Sequence, residues 1–396
     1  MTRLAEDKLP FTRAEYQMRL DKVRQAMAER GIDFLIACDP SNMAWLSGYD
    51  GWSFYVPQAI LVEETGEPVF WGRLMDAAGA RHTVYMDSDN ITAYTDDYVM
   101  SEERHAYDHL SALIEERGHA KKRIGVEMDN YYFSARAFAI LQARLPNVEF
   151  VDATNLVNWQ RLIKSDAEIA FMKRAGTIVE NMHNRIRETV RPGIRKCDLI
   201  AEIYDASLRG TDEFGGDYPA IVPMVPSGPE ASAAHLTWND KLMATGEGTF
   251  FEIAGCYRRY HCPLCRTVYL GKPPQKFMDV EAAVLDGIAA GLEAAKPGNV
   301  AQDLVIAFSE ALAKHGLKKD GRSGYPIGLS YPPDWGERTV SIRTGDLTEL
   351  KPNMTFHFMT AFWMEDSGYE VTESIRITEN GAELLANVPR PMLVID

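Results

Sequence analysis

The order of apolar and polar positions in the first part of the chain predicts helices and strands in alternation. Apolar residues at helical spacing follow a capping box formed by Thr12 and Glu15, and this first helix is expected to end at Gly31. Two further helical stretches lie near 105–118 and 134–144. Short apolar runs that predict strands occur at 33–38, 55–62, 68–71, 123–128 and 148–153. Such alternation is typical of an α/β domain, which we expect to cover residues 1–158.

A second capping box, formed by Ser165 and Glu168, predicts the start of a long helix and of a second domain, residues 159–396. This region contains an internal repeat. Pro-Gly is followed at the same spacing by Asp-Leu and an amphipathic helix, once from Pro192 and once from Pro297. We expect two α/β halves related by a pseudo-twofold axis, with a site that draws residues from both.

Composition limits the classes of partner. The chain carries 42 Lys and Arg against 57 Asp and Glu, a formal charge of −15, which argues against nucleic acid or an anionic membrane as a partner. No apolar run approaches the roughly 18 residues of a membrane span, and the first residues do not resemble a signal peptide. Five cysteines in a long chain favour a reducing compartment, so we expect a cytoplasmic protein.

One carboxylate stands out in the hairpin predicted over residues 250–267. Glu252 lies in an otherwise apolar strand, and the chain is expected to turn through Arg258 and Arg259. A buried carboxylate costs several kcal/mol unless it is paired. Glu252 is therefore a metal ligand, a catalytic group, or a structural acid paired with an arginine such as Arg266.

Seven short segments occur in an order that resembles a known family. The segments are KSDAEI (164–169), SGPEASAAH (227–235), FFEIAG (250–255), CRT (265–267), SGYPIGL (323–329), LKPNM (350–354) and ESIRITENGAELL (373–385). Together they resemble the pita-bread family of creatinases, Xaa-Pro peptidases and methionine aminopeptidases. The resemblance implies a creatinase-like N-terminal α/β domain followed by a pita-bread catalytic domain.

The peptidases of that family bind two metal ions through two Asp, one His and two Glu. The resemblance assigns these five places to Glu252, Pro263, Tyr325, Met359 and Thr372, the last with Glu373 as the neighbouring alternative. Proline and methionine offer no hard oxygen ligand for such ions. We therefore expect a member of the family without metal or other cofactor.

Within the family, residues 42–59, 250–273 and 324–339 are similar to the ectoine hydrolases. That resemblance implies a metal-independent hydrolase that opens the cyclic amidine of ectoine and 5-hydroxyectoine to N-acetylated diaminobutyrates. It also implies a homodimer, in which residues 48–55 of one subunit cover the site of the other, and a downstream deacetylase as a functional partner.

The electron-poor carbon of an amidinium suits catalysis by acid–base groups alone. We expect Glu252 to attack this carbon or to activate water against it, and His235, which matches the acid–base histidine of creatinase, to pass a proton to the departing nitrogen. Glu373 or its neighbours are expected to hold the cation.

Substrate-binding candidates are mostly aromatic, since aromatic faces bind small cations. They are Trp52, Tyr55, Tyr325, Tyr331 and Trp335, together with Arg338 as a clamp for the substrate carboxylate. Core packing for the aromatic residues and a solvated surface for the arginine are the alternatives. The competing functions are a creatinase-like hydrolase of another guanidino or amidino acid and a non-catalytic binding module. A zinc site at Cys262 and Cys265 would need a second pair of ligands, and none is visible.

Overall fold

A computed structural model describes residues 3–395, and the chain divides into two compact units between Arg161 and Leu162. The boundary expected after residue 158 lies inside a short helix, Leu156–Arg161. The structural division instead follows the end of this helix, so that the whole helix belongs to the first unit. No helix within residues 3–395 is long and apolar enough to cross a lipid bilayer.

The first unit is built on one six-stranded mixed sheet with the strand order β4-β3-β2-β1-β5-β6. Its strands are β1 Phe34–Ala37, β2 Ala59–Glu63, β3 Val69–Arg73, β4 Ile91–Tyr94, β5 Arg123–Val126 and β6 Glu149–Asp152. Its helices are α1 Arg13–Glu29, α2 Pro40–Ser47, α3 Leu74–Ala80, α4 Ala106–Glu116, α5 Ala135–Arg144 and α6 Leu156–Arg161. Strand β1 pairs in parallel with β5 and antiparallel with β2, which gives the expected α/β class.

Local sequence explains how the first unit begins. Thr12 is the N-cap of α1, and its hydroxyl accepts from the Glu15 N–H. Four of these elements were not predicted: α2, α3, β4 and α6. Helix α2 is buried at every position and so lacks an amphipathic pattern, and β4 is a half-buried edge strand of four residues.

The second unit repeats an order of two helices followed by a strand hairpin. The helices are α7 Asp166–Thr189, α8 Lys196–Arg209, α9 Gln275–Ala294 and α10 Ala301–Lys314. The strands are β7 Gly248–Tyr257, β8 Tyr260–Leu270, β9 Gly324–Pro326, β10 Thr355–Trp363, β11 Gly368–Thr378, β12 Gly381–Leu384 and β13 Leu393–Ile395. The helices α8 and α10 are those predicted after the two Pro-Gly pairs, which confirms the internal repeat.

The hairpins β7–β8 and β10–β11 belong to different sheets, with orders β13-β8-β7 and β12-β11-β10-β9. Side-chain hydrogen bonds join β8 to β11. The Thr267 hydroxyl donates to the Glu370 carbonyl at 2.8 Å and accepts from the Glu370 N–H at 3.0 Å, while the Cys265 N–H donates to Thr372 Oγ1 at 2.8 Å. These bonds bring the two halves of the repeat together.

Close packing of α7 on β7 depends on a glycine. A Cβ at Gly255 would lie 2.1 Å from the Ala175 carbonyl oxygen and 2.7 Å from the Val179 nitrogen. We expect Gly255→Ala to lower the free energy of unfolding by about 1–3 kcal/mol or more, because neither backbone atom can yield without moving the helix. Gly79→Ala is the matched control, since a Cβ there meets nothing within 4 Å. Thermal unfolding of both variants measures the difference, and equal stabilities would contradict this packing argument.

Candidate active site

Strand registers decide which side chains share a face. Glu252 is paired with Cys265 in the β7–β8 hairpin, and Met359 is paired with Thr372 in the β10–β11 hairpin. Because side chains alternate along a strand, residues two apart point to the same side. Pro263 therefore shares the face of Cys265 and Glu252. By the same rule, Glu370 and Ser374 share the face of Thr372, and His357, which is paired with Tyr325 of β9, shares the face of Met359.

All five places assigned by the family resemblance thus lie on these faces, and their chemistry can be tested against two metal ions. Glu252 is the one carboxylate among them, and Pro263 and Met359 offer no oxygen from a side chain. The phenol oxygen of Tyr325 is already hydrogen-bonded to Trp335 Nε1 at 2.7 Å. Within residues 3–395, no group of three or more His, Cys, Asp and Glu could hold a metal ion. This donor set does not fit a dinuclear centre.

Two carboxylic acids take the place of such a centre, and we call Glu252 and Glu370 the carboxyl pair. Glu252 is only 4% exposed, and its carboxyl group has no hydrogen-bond or ion-pair partner in the described part of the chain. Burial, followed by the charge of Glu370, raises the pKa of Glu252 well above its usual range. Burial and the nearby negative charge therefore both favour the protonated form of Glu252.

Glu370 is 1% exposed, and within residues 3–395 neither of its carboxyl oxygens has a hydrogen-bond partner at normal distance and angle, although the Cys265 thiol lies close enough to lower its pKa. Burial raises the pKa of Glu370 to about 7, and the Cys265 thiol and the Lys319 ammonium group oppose part of this rise. Burial also lowers the pKa of Lys319 to about 8. The dry environment therefore favours the protonated form of both acids of the carboxyl pair.

Cys265 lies directly opposite Glu252 in the hairpin. Burial, then the negative charges of Glu370 and Glu252, raise the pKa of its thiol well above the usual value, so the group stays protonated. Cys262 lies three residues before Cys265 on the same strand and so points to the opposite face. This alternation is incompatible with joint metal binding by the Cys-x-x-Cys segment.

Glu373 differs from Glu370 in both face and partners. It lies three residues after Glu370 on β11 and points the other way. Its Oε1 accepts from Arg266 Nη2 and from Arg390 Nε, each at 2.8 Å. Arg266, the alternative partner considered for Glu252, is thus paired with Glu373. The contact of Glu373 with a substrate cation remains a prediction. This placement does not favour it, because Arg266 and Arg390 already balance the charge of Glu373.

A chain of buried hydrogen bonds runs beside the carboxyl pair. Tyr325 Oη accepts from Trp335 Nε1 at 2.7 Å and lies 3.1 Å from His357 Nδ1. His357 Nε2 lies 2.7 Å from Thr372 Oγ1, which also accepts from the Cys265 N–H. Burial, then the charge of Glu252, raises the pKa of Tyr325 well above its usual value, so this phenol stays protonated.

His235 is exposed, and its ring has no hydrogen bond within residues 3–395. Its segment nevertheless runs beside the Glu252 strand. The Leu236 carbonyl accepts from the Val225 N–H at 3.3 Å, and the adjoining Met224 exchanges two backbone hydrogen bonds with Glu252. The acid–base role of His235 stays a prediction.

The other substrate-binding candidates are divided between the two units. In the second unit, Tyr331 and Trp335 are buried, and Arg338 is half-buried with a left-handed φ of +58°. In the first unit, Trp52 and Tyr55 lie between α2 and β2 and are 59% and 65% exposed. Core packing therefore does not account for these two rings of the first unit.

Sequence reasoning did not assign Glu370, Cys265 or His357 to the candidate site. No local pattern in the sequence distinguishes Glu370 from the other acidic residues of the second domain. Applying strand alternation from the Thr372 place would have found it, because the residue two positions earlier shares the same face.

Comparisons with known proteins show the family to which the chain belongs. Residues 170–380 match the model of metallopeptidase family M24, and residues 19–163 match that of the creatinase/prolidase N-terminal domain. The chain therefore belongs to the M24 family, with a creatinase-type N-terminal domain and a pita-bread domain, as expected. It is 56% identical over 393 residues to the ectoine hydrolase of Halomonas elongata, with 98% of each chain covered, and it is a hydrolase.

Solved structures support the fold at much lower identity. A prolidase from Thermococcus sibiricus matches with a TM-score of 0.83 at 17% identity, covering 96% of this chain and 99% of its own. The dipeptidase PepE from Mycobacterium ulcerans matches with a TM-score of 0.80 at 22% identity, covering 97% and 99%. The architecture is therefore shared with peptidases.

The two acids of β11 should respond differently to neutralisation. Glu373→Gln leaves Arg266 and Arg390 without a counter-charge, and we expect it to lower the free energy of unfolding by roughly 3–5 kcal/mol. Glu370→Gln removes a buried carboxyl without partners and should be neutral or stabilising above pH 7. Urea unfolding at pH 8 compares the two variants, and equal losses would contradict the assignment.

The same variants have distinct pH dependence. The folded-state pKa of Glu370 is about 7, above the ordinary 4.5, so the folded protein binds this proton more tightly than the unfolded chain does. The stability from this group is fully present below pH 4.5 and is lost as the pH rises through about 7. Wild-type unfolding midpoints should fall over this range more steeply than those of Glu370→Gln. Parallel curves would show that Glu370 does not titrate there.

Proposed function

We propose that this chain hydrolyses ectoine and 5-hydroxyectoine by opening the cyclic amidine ring to N-acetyl-diaminobutyrate products, without a metal ion. The observation that carries the proposal is the carboxyl pair, Glu252 and Glu370, buried without an ion-pair partner within residues 3–395 on the faces to which the family resemblance assigns the metal ligands. A cationic amidine supplies the charge that this pair lacks. The 56% identity to the Halomonas elongata ectoine hydrolase supports the same substrate.

The binding step follows from electrostatics. Burial raises the pKa of both acids, and the charge of Glu370 raises that of Glu252 further. An amidinium placed between the two groups relieves both effects. Binding of the cation should therefore lower the pKa of Glu252 and release its proton. We assign the cation-holding role to Glu370, since Glu373 is already paired with Arg266 and Arg390.

The chemical step consumes one water and no other reactant. Either Glu252 attacks the amidine carbon and water then cleaves the ester-like adduct, or Glu252 takes a proton from a water that attacks directly. In both routes a C–O bond forms, one ring C–N bond breaks, and a proton passes to the departing nitrogen. We retain His235 as the group that delivers this proton, since its segment is joined by backbone hydrogen bonds to the strand of Glu252.

The remaining assignments complete the proposal. Arg338 binds the substrate carboxylate, and Tyr331 and Trp335 are the aromatic substrate contacts of the second unit. Trp52 and Tyr55 act as substrate contacts supplied by the partner subunit of a homodimer. A deacetylase would act on the acetylated product, and we place the protein in the cytoplasm, which suits its five free cysteines.

The first test is proton NMR of ectoine, 5-hydroxyectoine and creatine, each incubated with enzyme that has been treated with a chelator. We expect ring opening of the two cyclic amidines at the rate of untreated enzyme, because the donor set does not fit a metal centre. Turnover of creatine alone would favour a creatinase-like hydrolase. Activity that returns only with added metal would overturn the metal-free mechanism, and no turnover of any compound would favour a binding module.

The second test removes the proposed nucleophile or base. Glu252→Gln should lower kcat by at least about 10²–10⁴-fold while the fold is retained, because the amide neither attacks nor accepts a proton. Glu365→Gln, at an exposed acid in the turn between β10 and β11, is the matched control and should keep full activity. Mass spectrometry of acid-quenched wild-type enzyme separates the two routes, since only direct attack gives a covalent adduct. Retained activity in Glu252→Gln would remove Glu252 from the mechanism.

A further inference from the structure

The hydrogen bonds around Tyr325 have a direction that follows from counting protons. Trp335 Nε1 is a donor only, so the phenol oxygen of Tyr325 accepts its bond. The Cys265 N–H is likewise a donor only, so Thr372 Oγ1 accepts it. These two fixed donors lie at opposite ends of this series of hydrogen bonds, and His357 lies between them.

His357 is buried and faces hydroxyl groups through both ring nitrogens. Burial, then the charge of Arg322, lowers its pKa to about 3, so the ring is neutral and carries one N–H. The hydrogen is on Nδ1 or on Nε2, and each choice fixes the directions of the hydroxyl groups beside it.

If the hydrogen is on Nε2, His357 donates to Thr372 and accepts from the Tyr325 hydroxyl. Thr372 then accepts two hydrogen bonds, and its own hydroxyl hydrogen has no acceptor within residues 3–395, although the residue is 0% exposed. An unsatisfied buried donor of this kind costs about 1–3 kcal/mol.

If the hydrogen is on Nδ1, the Thr372 hydroxyl donates to His357 Nε2 and His357 donates to Tyr325. Tyr325 Oη then accepts from both Trp335 and His357, and its own hydrogen remains available. Tyr325 is 8% exposed, and its phenol responds to the charge of Glu252. Each arrangement leaves one hydroxyl hydrogen without an acceptor within residues 3–395. Here that hydrogen is on Tyr325, which is 8% exposed and lies beside the carboxyl pair, and not on the fully buried Thr372, so this arrangement is the more stable.

We propose that Tyr325 is a catalytic hydrogen-bond donor whose O–H faces the reacting group, and that His357 and Thr372 are positioning residues that fix its direction. The proposal rests on the proposed amidine hydrolysis. The oxygen that bonds to the amidine carbon carries partial negative charge in the transition state, and a preorganised donor stabilises that charge. No proton needs to be transferred from Tyr325.

The first experiment reads the protonated nitrogen of His357 directly and needs no substrate. In protein labelled with 13C and 15N at histidine, the His357 ring signals should be those of a neutral Nδ1–H tautomer throughout the pH range of activity. His357→Gln identifies the signals by their loss. A neutral Nε2–H tautomer would overturn the proposal, whether or not the enzyme hydrolyses ectoine.

The second experiment compares Tyr325→Phe with two variants at Thr372. Thr372→Ser keeps the hydroxyl and should retain kcat, while Thr372→Val and Tyr325→Phe should lower kcat by about 10²–10³-fold. KM should change much less, because the donor acts on charge that develops after binding. Thermal unfolding checks that each variant is folded.

The two experiments distinguish the proposals. Wild-type kcat in folded Tyr325→Phe would overturn the donor role while leaving ectoine hydrolysis intact. Equal loss in Thr372→Ser and Thr372→Val would show that Thr372 acts through packing alone. Failure of the wild-type enzyme to hydrolyse ectoine would remove the proposed function. The tautomer of His357 would still report the direction of the hydrogen bonds from Thr372 to Tyr325.

Discussion

The site depends on the hydrogen bonds that join strands β8 and β11. Thr267 binds both backbone groups of Glu370, and the Cys265 N–H binds the side chain of Thr372. These contacts connect the two halves of an internal repeat, each of which supplies one member of the carboxyl pair. Without them, Glu252 and Glu370 would belong to separate sheets with no reason to share a site.

Burying the two acids of the carboxyl pair in a dry interior costs free energy of folding. Contacts on the opposite face of β11 offset part of this cost. On the opposite face of β11, Glu373 is held by Arg266 and Arg390, and Arg266 also donates to the carbonyls of Thr372 and Val388. The strand that carries an unpaired acid on one side is thus fixed by a paired acid on the other. An unfavourable site of this kind persists only where the surrounding structure holds it in place.

Much of the fold could be predicted from sequence, because its signals are local. The capping boxes at Thr12 and Ser165 do start helices, and the two Pro-Gly pairs do precede α8 and α10. Helix α2 was missed because a helix buried on all sides has no amphipathic period. Glu252 was found because a carboxylate in an apolar strand is anomalous in sequence alone, whereas the partner of Arg266 depended on strand register, which no local pattern gives.

The alternation along β11 has a consequence for how such enzymes diverge. Alternate residues of β11 supply the groups of the site on one face and the acid held by Arg266 and Arg390 on the other. Substitutions on the first face can therefore alter the chemistry of the site without changing the contacts on the second. Glu370 and Thr372 can change independently of Glu373. One architecture, retained at a TM-score near 0.8 while identity falls to about 20%, can therefore serve peptidases as well as a hydrolase of this kind. Along β11, neighbouring residues alternate between those that supply the site and those that stabilise the fold.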